Sequence, residues 1–369
     1  MPLRFHWSLS SAEEKWRGAL SRAAQSGILH LETHIAFCRH AEACGIDSLL
    51  MAFGFHRPDP ITLTAALGMA TDKIKFMVAC RSGIFSPSVF VQQVNTVATL
   101  TQGRICLNMV AGHTPQEQRG YGDFLDHDER YQRMDEFLTV CRAFWHGAGP
   151  VNFRGTYYHI ENGRINTPFA APDRMTPEIF LGGASQPAMT LAAQHASCLL
   201  TLPDTPEKLR ARIQPVLDRG TEAGIMVALI ARPTRAEALQ AAYDILAEVG
   251  GRSKYVHREF AQHSDSVVFT STLALAEQHQ SDWLTPCLWT GAVPYLGAPA
   301  IAFVGSFDEV ADTILAYQQA GITQFLFTGW PALEEMTYFS QGILPLVRQH
   351  ESENPEHGPA APVPALVTT

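Results

Sequence analysis

The chain has 369 residues, of which 46% are hydrophobic and 17% charged, and its formal net charge is −9. This balance is ordinary for a globular protein, and the acidic charge argues against non-specific binding to a nucleic-acid backbone. No apolar run approaches the roughly 20 residues of a membrane helix, and the first residues lack a signal-peptide core. The seven cysteines show no CxxC spacing, which predicts reduced thiols in a cytoplasmic protein and no metal site.

Short apolar runs alternate with longer helical patterns along the chain. The predicted strands are residues 3–8, 48–51, 74–79, 105–110, 178–181, 198–202, 225–230 and 324–327. The predicted helices are residues 31–44, 61–71, 88–99, 129–145, 187–195, 205–219, 235–249, 307–320 and 332–348. Gly45, Gly224 and Gly321 each fall near the start of a predicted strand. A glycine in the left-handed conformation is the usual way to end a helix there.

About eight strand–helix units in one chain predict an α/β fold, a (β/α)₈ TIM barrel that occupies residues 1–350 as a single domain. An open doubly wound sheet would carry a glycine-rich dinucleotide turn after its first strand, and this chain has none there. Insertions are predicted near residues 146–177 and 251–300, and a connection as long as the second is more often a functional lid than filler. The tail, residues 351–369, contains four prolines and is expected to be flexible.

Polar side chains are concentrated in the stretch that follows the fourth predicted strand. Asn108 lies inside this otherwise apolar strand, and a buried amide needs hydrogen-bond partners. His113 follows the strand end, and His56 follows the second predicted strand. Loops that leave the carboxyl end of buried parallel strands form the sites of α/β proteins. Each histidine is therefore either a catalytic group or an ordinary structural or surface residue.

A small-residue turn connects the fifth predicted strand to the next helix, and it contains Gly183, Ala184 and Ser185. Small residues let a phosphate approach exposed backbone N–H groups at a helix N-terminus, where the helix dipole favours negative charge. The turn is therefore a candidate phosphate site. The alternative is that Ser185 only caps the helix and the glycines only make a tight turn.

Several motifs together resemble the bacterial luciferase-like flavin monooxygenases, and within them the alkanesulfonate monooxygenase branch. These motifs occur in the family's order and include Ser86-Pro87-Ser88, Pro115-Gln116-Glu117, Asp126-His127, Glu129-Arg130-Tyr131, Gly182-Gly183-Ala184-Ser185, Asp265-Ser266-Val267 and Gly329-Trp330-Pro331. The resemblance implies a (β/α)₈ barrel that binds reduced FMN supplied by a separate NAD(P)H-dependent flavin reductase. Reaction of the flavin with O₂ would give a C4a-(hydro)peroxide that oxygenates the substrate. Relatives are usually homodimers or homotetramers.

The resemblance also implies which residues bind the cofactor. Ala52, Asn108 and Ala111 would lie at the isoalloxazine ring or the ribityl chain, with Ala111 allowing close approach. Glu117, Arg130 and Tyr131 would line the ribityl and phosphate side. Gly183, Ala184 and Ser185 would hold the phosphate. Residues 251–300 would close over the flavin and keep water away from it.

The substrate side departs from the alkanesulfonate enzymes. Met226 and Ala228 stand where those enzymes carry an arginine and a histidine, Leu296 replaces a lid arginine, Trp330 a tyrosine and Pro58 a cysteine. A desolvated sulfonate would lose its charge partners. We therefore expect a more apolar or neutral metabolite, or an amine to be N-oxygenated. The pocket walls would be Phe55, Met226, Ala228, Leu296 and Trp330, and the groups that handle protons would be His113 and His56.

Three functions follow from this interpretation. The leading one is a two-component FMNH₂-dependent monooxygenase that acts on a small molecule, by C–S cleavage, N-oxidation or carbon hydroxylation. The second is a coenzyme F420-dependent oxidoreductase of the same fold. The third is a non-catalytic flavin-binding protein or partner subunit, which the loss of the arginine and histidine would allow.

Overall fold

The computed structural model describes residues 2–9, 29–112, 114–147, 149–249, 264–278 and 281–353. Its strands are β1 Arg4–Ser8, β2 Ser48–Met51, β3 Lys75–Cys80, β4 Ile105–Met109, β5 Val151–Arg154, β6 His159–Gly163, β7 Ile179–Gly182, β8 Cys198–Thr201, β9 Glu222–Arg232, β10 Leu288–Trp289, β11 Ala302–Ser306 and β12 Ile322–Thr328. Eight of them form a closed parallel barrel in the order β1-β2-β3-β4-β7-β8-β9-β12, and β12 pairs again with β1. The predicted TIM-barrel fold is confirmed.

Helices cover the outside of the barrel. They are α1 Leu31–Ala43, α2 Pro60–Met69, α3 Pro87–Leu100, α4 Pro115–Gly120, α5 His127–His146, α6 Gln186–His195, α7 Pro206–Leu217, α8 Arg235–Val249, α9 Val267–Gln278, α10 Val293–Leu296, α11 Phe307–Gln319, α12 Ala332–Tyr338 and α13 Leu344–Glu353. A π-helical turn, Phe339–Ile343, joins the last two. In the described part of the chain, no helix combines the length and the apolar character needed to cross a membrane.

Both predicted insertions carry secondary structure of their own. In the first, β5 and β6 pair as an antiparallel hairpin. In the second, β10 pairs with β11, and β11 pairs in parallel with the last part of β9 from Ala228 to Arg232. Residues 251–263 and 279–280 of this insertion lie outside the described residues, as do residues 354–369 of the predicted tail. Helix α13 continues to Glu353, so the first tail residues are helical.

The barrel interior has a polar lower part and an apolar upper part. Near the amino ends of the strands, His6 lies between the Ser48 hydroxyl at 2.7 Å and the Gln324 side-chain oxygen at 2.9 Å. Burial lowers the pKa of His6 to about 4, so the ring is neutral at neutral pH. Above it lies an apolar layer formed by Leu50, Met77, Cys106, Phe180, Cys198, Leu200 and Leu326. This layer closes the barrel and forms the floor of the space above it.

Two of the three glycines predicted to end helices adopt the left-handed conformation. Gly45 has φ of +74° and is separated from β2 by two residues, and Gly321 has φ of +100° directly before β12. The prediction for Gly224 is wrong, because this residue lies inside β9. Gly220, with φ of +78°, takes the left-handed position after α7. Strand β9 therefore begins at Glu222, three residues earlier than the apolar run indicates.

Candidate functional site

A pocket of about 250 Å³ lies at the carboxyl ends of the barrel strands. Its floor is apolar and includes Leu50, Leu200, Met226 and Leu326. The walls come from the loops that follow β2, β3, β4, β7 and β8 and from the start of α9; they include Ala52, Phe53, Arg81, Val110, Ala111, Gly112, Gly183, Ala184, Ser185, Leu202, Ser266 and Val267. This is the face on which (β/α)₈ barrels place their active sites.

One end of the pocket is formed by the N-terminus of α6. Ser185 caps this helix, and its hydroxyl accepts a hydrogen bond from the Ala188 N–H at 3.3 Å. The Tyr131 hydroxyl lies beside Ser185, and burial raises the pKa of Tyr131, which keeps the phenol protonated. A Cβ on Gly183 would lie 2.6 Å from the Ala188 Cβ and 3.2 Å from the Tyr131 hydroxyl oxygen. Two hydroxyl groups and a helix N-terminus therefore lie close to the backbone of Gly183, which carries no side chain. This arrangement is suited to binding an anion.

Helix α5 positions Tyr131 through a capping box at its start. The Asp126 carboxylate accepts from the Glu129 N–H at 2.8 Å, and the Glu129 carboxylate accepts from the Asp126 N–H at 2.9 Å. These reciprocal bonds fix the first turn of the helix. The next turn buries Arg130 and Tyr131. The polar residues at the start of α5 therefore cap this helix, and the helix places Tyr131 in the pocket wall.

Arg130 supports the pocket from behind. Its Nε donates to the Ala111 carbonyl oxygen at 3.0 Å and its Nη1 to the Leu125 carbonyl oxygen at 2.9 Å. Its Nη2 forms an ion pair with Asp265, which directly precedes the pocket residue Ser266. Arg130 does not line the pocket itself. It ties the loop after β4 to the start of α9.

Three pocket residues have buried polar atoms without a hydrogen-bond partner among the described residues. These atoms are the Asn108 Oδ1, the Thr201 Oγ1 and the Nε and Nη1 of Arg81. Leaving such atoms unpaired costs free energy, on the order of 1–3 kcal/mol each. A ligand that brings both hydrogen-bond donors and acceptors would satisfy them. The isoalloxazine ring system carries both ring N–H groups and carbonyl oxygens, so the Asn108 amide oxygen and the Thr201 hydroxyl fit it.

Among the pocket residues that the sequence analysis missed, Arg81 is the charged one. Arg81 directly follows β3, is 5% exposed, and its Nη2 lies 2.5 Å from the Glu117 Oε2. Its guanidinium carbon lies 5.1 Å from the ring centre of Phe53 and 5.6 Å from that of Tyr121. The sequence could have indicated Arg81 by its position, because it directly follows a strand, as Ala52 and Val110 do. Glu117 does not line the pocket but holds Arg81 in it.

The predicted cofactor residues come together in one place. Those that line the pocket are Ala52, Asn108, Ala111, Tyr131, Gly183, Ala184 and Ser185. Glu117 and Arg130 contact lining residues from behind the wall. The roles assigned to these residues remain predictions.

The predicted substrate and proton-handling residues are more dispersed. Met226 lines the pocket floor, but Ala228, Leu296 and Trp330 are packed in a separate apolar cluster with Trp289. The pairing of Ala228 with Ala302 on β11 explains this, since the late insertion covers that side of the barrel.

The aromatic and histidine residues predicted near the second strand lie outside the pocket. Phe55 is 52% exposed and stacks on Tyr121 with ring centres 4.5 Å apart. His56 is exposed and does not line the pocket. His113 lies outside the described residues.

The barrel and its pocket define an α/β-barrel protein with a pocket at the carboxyl ends of its strands. Residues 3–324 match the sequence model of the luciferase-like monooxygenase family, and the chain belongs to that family. Membership of this family assigns the chain to the oxygenase class of enzymes. The alkanesulfonate branch stays a prediction.

Solved structures of several activities share this fold. The EDTA monooxygenase of Chelativorans sp. BNC1 is 18% identical with a TM-score of 0.71, over 95% of this chain and 94% of its own. A riboflavin lyase, solved with modified FMN and riboflavin, is 19% identical with a TM-score of 0.70, over 95% and 92%. An F420-dependent secondary alcohol dehydrogenase, solved with an F420–acetone adduct, is 17% identical with a TM-score of 0.66, over 94% and 100%. At these identities the similarity shows the fold alone.

Proposed function

We propose that the protein is a two-component flavin-dependent monooxygenase. It binds reduced FMN delivered by a separate NAD(P)H-dependent flavin reductase and transfers one oxygen atom of O₂ to a small organic substrate. The observation that carries the proposal is the combination, in one pocket, of a hydroxyl-lined helix N-terminus and unpartnered polar atoms. The first suits a phosphoryl group, and the second suits a planar heterocycle.

The residues divide into a phosphoryl end and a ring end. At the phosphoryl end, the Ser185 and Tyr131 hydroxyls and the first N–H groups of α6 would donate hydrogen bonds. At the ring end, the Asn108 Oδ1 would accept from a ring N–H, and the Thr201 hydroxyl would pair with a neighbouring polar atom. Bound reduced flavin would supply the two electrons that let one atom of O₂ enter the substrate while the other becomes water.

Water exclusion follows from the apolar floor and from the start of α9. Leu200 and Met226 lie beneath the space that the ring would fill, and Val267 and Phe269 border it from the late insertion. Reaction of a bound reduced flavin with O₂ is productive only when solvent does not divert it. The late insertion therefore has a defined role in the proposal, which is to cover the pocket.

Substrate choice is part of the same proposal. Met226 is an apolar floor residue, and Ala228 is buried away from the pocket, so neither supplies a charge to a sulfonate. A neutral or apolar metabolite, or an amine, therefore fits better than a simple alkanesulfonate.

The test is an anaerobic titration of the full chain with reduced FMN, riboflavin and reduced F420. We expect reduced FMN to bind at least about tenfold more tightly than riboflavin, because the phosphoryl group adds charge-assisted hydrogen bonds. The Ser185→Ala/Tyr131→Phe double variant should lose this preference while it keeps its riboflavin affinity. No affinity for reduced FMN, or tighter binding of F420, would contradict the proposal.

Oxygen transfer is tested by adding a flavin reductase, NAD(P)H and O₂ to the protein with a pool of candidate metabolites. The proposal expects oxygenated product only when all components are present. Tight FMN binding without product from any pool would favour the non-catalytic alternative.

A further inference from the structure

Arg81 is a charged side chain that is held rigidly in the pocket and has N–H donors without a hydrogen-bond partner among the described residues. It is 5% exposed, its Nη2 is paired with Glu117, and its planar group lies beside the rings of Phe53 and Tyr121. Its Nε and Nη1 are buried and have no partner among the described residues. Two aromatic rings and a carboxylate therefore fix a guanidinium whose remaining N–H groups are available to a ligand.

The charge of this arginine is already compensated. Glu117 lies 2.5 Å from the Arg81 Nη2, and the guanidinium of Arg130, behind the pocket wall, is paired with Asp265. A second anion beside Arg81 would be repelled by the Glu117 carboxylate in a region of low dielectric. What the site lacks is a hydrogen-bond acceptor, not a negative charge. A neutral carbonyl oxygen meets that need without desolvating an ion.

The position of Arg81 distinguishes it from the phosphoryl end of the pocket. Arg81 follows β3, whereas Ser185 follows β7, two strands further round the barrel. Beside Arg81, Tyr121 stacks on Phe55, which is 52% exposed, so this aromatic stack extends from the guanidinium to the surface. A molecule entering along these rings would reach Arg81 with its apolar body still in contact with aromatic side chains.

We propose that Arg81 is the substrate-anchoring residue and that the substrate is a neutral molecule with a carbonyl oxygen attached to a planar or apolar body. Phe53 and Tyr121 form the wall against which that body rests. The proposal rests on the proposed function, because the substrate would bind beside the flavin. A carbonyl oxygen of the flavin could accept the same hydrogen bonds from Arg81, and the experiment distinguishes the flavin from the substrate.

The experiment measures binding of benzamide, benzoate and ethylbenzene to the full chain, with and without saturating FMN. Benzamide should bind more tightly than either of the others. Arg81→Lys keeps one cation for Glu117 but loses the spare donors, so benzamide affinity should fall about tenfold while FMN affinity stays the same. Arg133→Lys is the matched control, since Arg133 pairs with Asp123 and does not line the pocket.

Glu117→Gln tests the charge argument directly. Without the compensating carboxylate, benzoate should gain about tenfold in affinity and overtake benzamide. Weaker FMN binding in Arg81→Lys with unchanged benzamide binding would assign Arg81 to the flavin and overturn the proposal. So would an absence of benzamide binding, or tighter binding of benzoate by the unmodified protein. Failure of the unmodified protein to bind FMN is a separate result that overturns the proposed function.

Discussion

Arg130 and Asp265 form an ion pair that joins helix α5 to the residue immediately before Ser266, at the start of α9. The Arg130 side chain is 3% exposed, and its other nitrogens bond the Ala111 and Leu125 carbonyl oxygens. One guanidinium therefore fixes the loop after β4 and the start of α9 relative to each other. Both segments line the pocket, although they are far apart in the sequence.

Replacing Asp265 with Asn should weaken FMN binding. The change removes the anionic partner of Arg130 and frees the segment that carries Ser266 and Val267. We expect a loss of about 1–2 kcal/mol, or roughly tenfold in affinity, because the Asp265 side chain is 24% exposed and partly screened. A fluorescence titration of FMN checks this.

Asp173→Asn serves as the control for that variant. Asp173 pairs with Arg174 at the surface, and its side chain is 70% exposed. This change should leave both FMN affinity and the melting temperature within error of the unmodified protein. Equal FMN affinity in the Asp265 variant would show that the ion pair does not position the pocket.

Gly183→Ala should selectively reduce binding of the phosphorylated flavin. The added methyl group would meet the Ala188 Cβ at 2.6 Å and the Tyr131 hydroxyl oxygen at 3.2 Å, so α6 must move away from residue 183. We expect FMN affinity to fall about tenfold and riboflavin affinity to change little, because riboflavin has no phosphoryl group at this end. Gly149→Ala is the control, since nothing lies within 4 Å of its added carbon. A parallel loss for both flavins would place the phosphoryl group elsewhere.

The cysteines should be unreactive in the folded protein. All seven are buried and free, and burial raises the pKa of Cys38 and of Cys106 to about 12. Thiol reagents attack the exposed thiolate, so Ellman's reagent should modify none of them in the native state and all seven after denaturation. A fast-reacting native thiol, or fewer than seven after denaturation under non-reducing conditions, would contradict this.

The barrel strands were predictable because parallel strands covered on both faces are continuous apolar runs. The run at 48–51 coincides with β2, and the run at 105–110 differs from β4 by one residue. Strand β11, Ala302–Ser306, is equally apolar but was not predicted; it lies in the short gap between the predicted insertion at residues 251–300 and the predicted helix at residues 307–320. The start of β9 was also missed, since Glu222 pairs with the polar groups at the lower end of the barrel.

The pocket lining was predictable in part from local sequence and in part from the resemblance. Gly183 and Ser185 stand at a helix start whose pattern is visible in the sequence, whereas Tyr131 was predicted from the resemblance. Arg81 acquires its role from Glu117, 36 positions away, and no local pattern reports such a pair. Trp330 was placed in the substrate pocket by resemblance, but a resemblance does not show that the late insertion covers this position.

Acid stability should depend on Glu178, at the lower end of the barrel. Arg4 pairs with Glu178, and the Lys75 Nζ lies 3.3 Å from its Oε2. Burial alone would raise the pKa of Glu178, but these cations outweigh it and lower the pKa to about 2, from 4.5. The folded state therefore binds this proton less readily than the unfolded state. The stabilisation is complete above about pH 4.5 and is lost as the pH falls towards 2.

Glu178→Gln removes that linkage. We expect the variant to lose about 2–3 kcal/mol of unfolding free energy at pH 7 and to show a smaller further loss between pH 5 and 3 than the unmodified protein. Urea unfolding at each pH measures both quantities. Glu161→Gln, at a side chain that is 80% exposed, controls for the loss of one carboxylate and should reproduce the unmodified pH profile. If the Glu178 variant instead keeps the same slope from pH 5 to 3, the acid sensitivity must come from other carboxylates, because a glutamine has no proton to bind in this range.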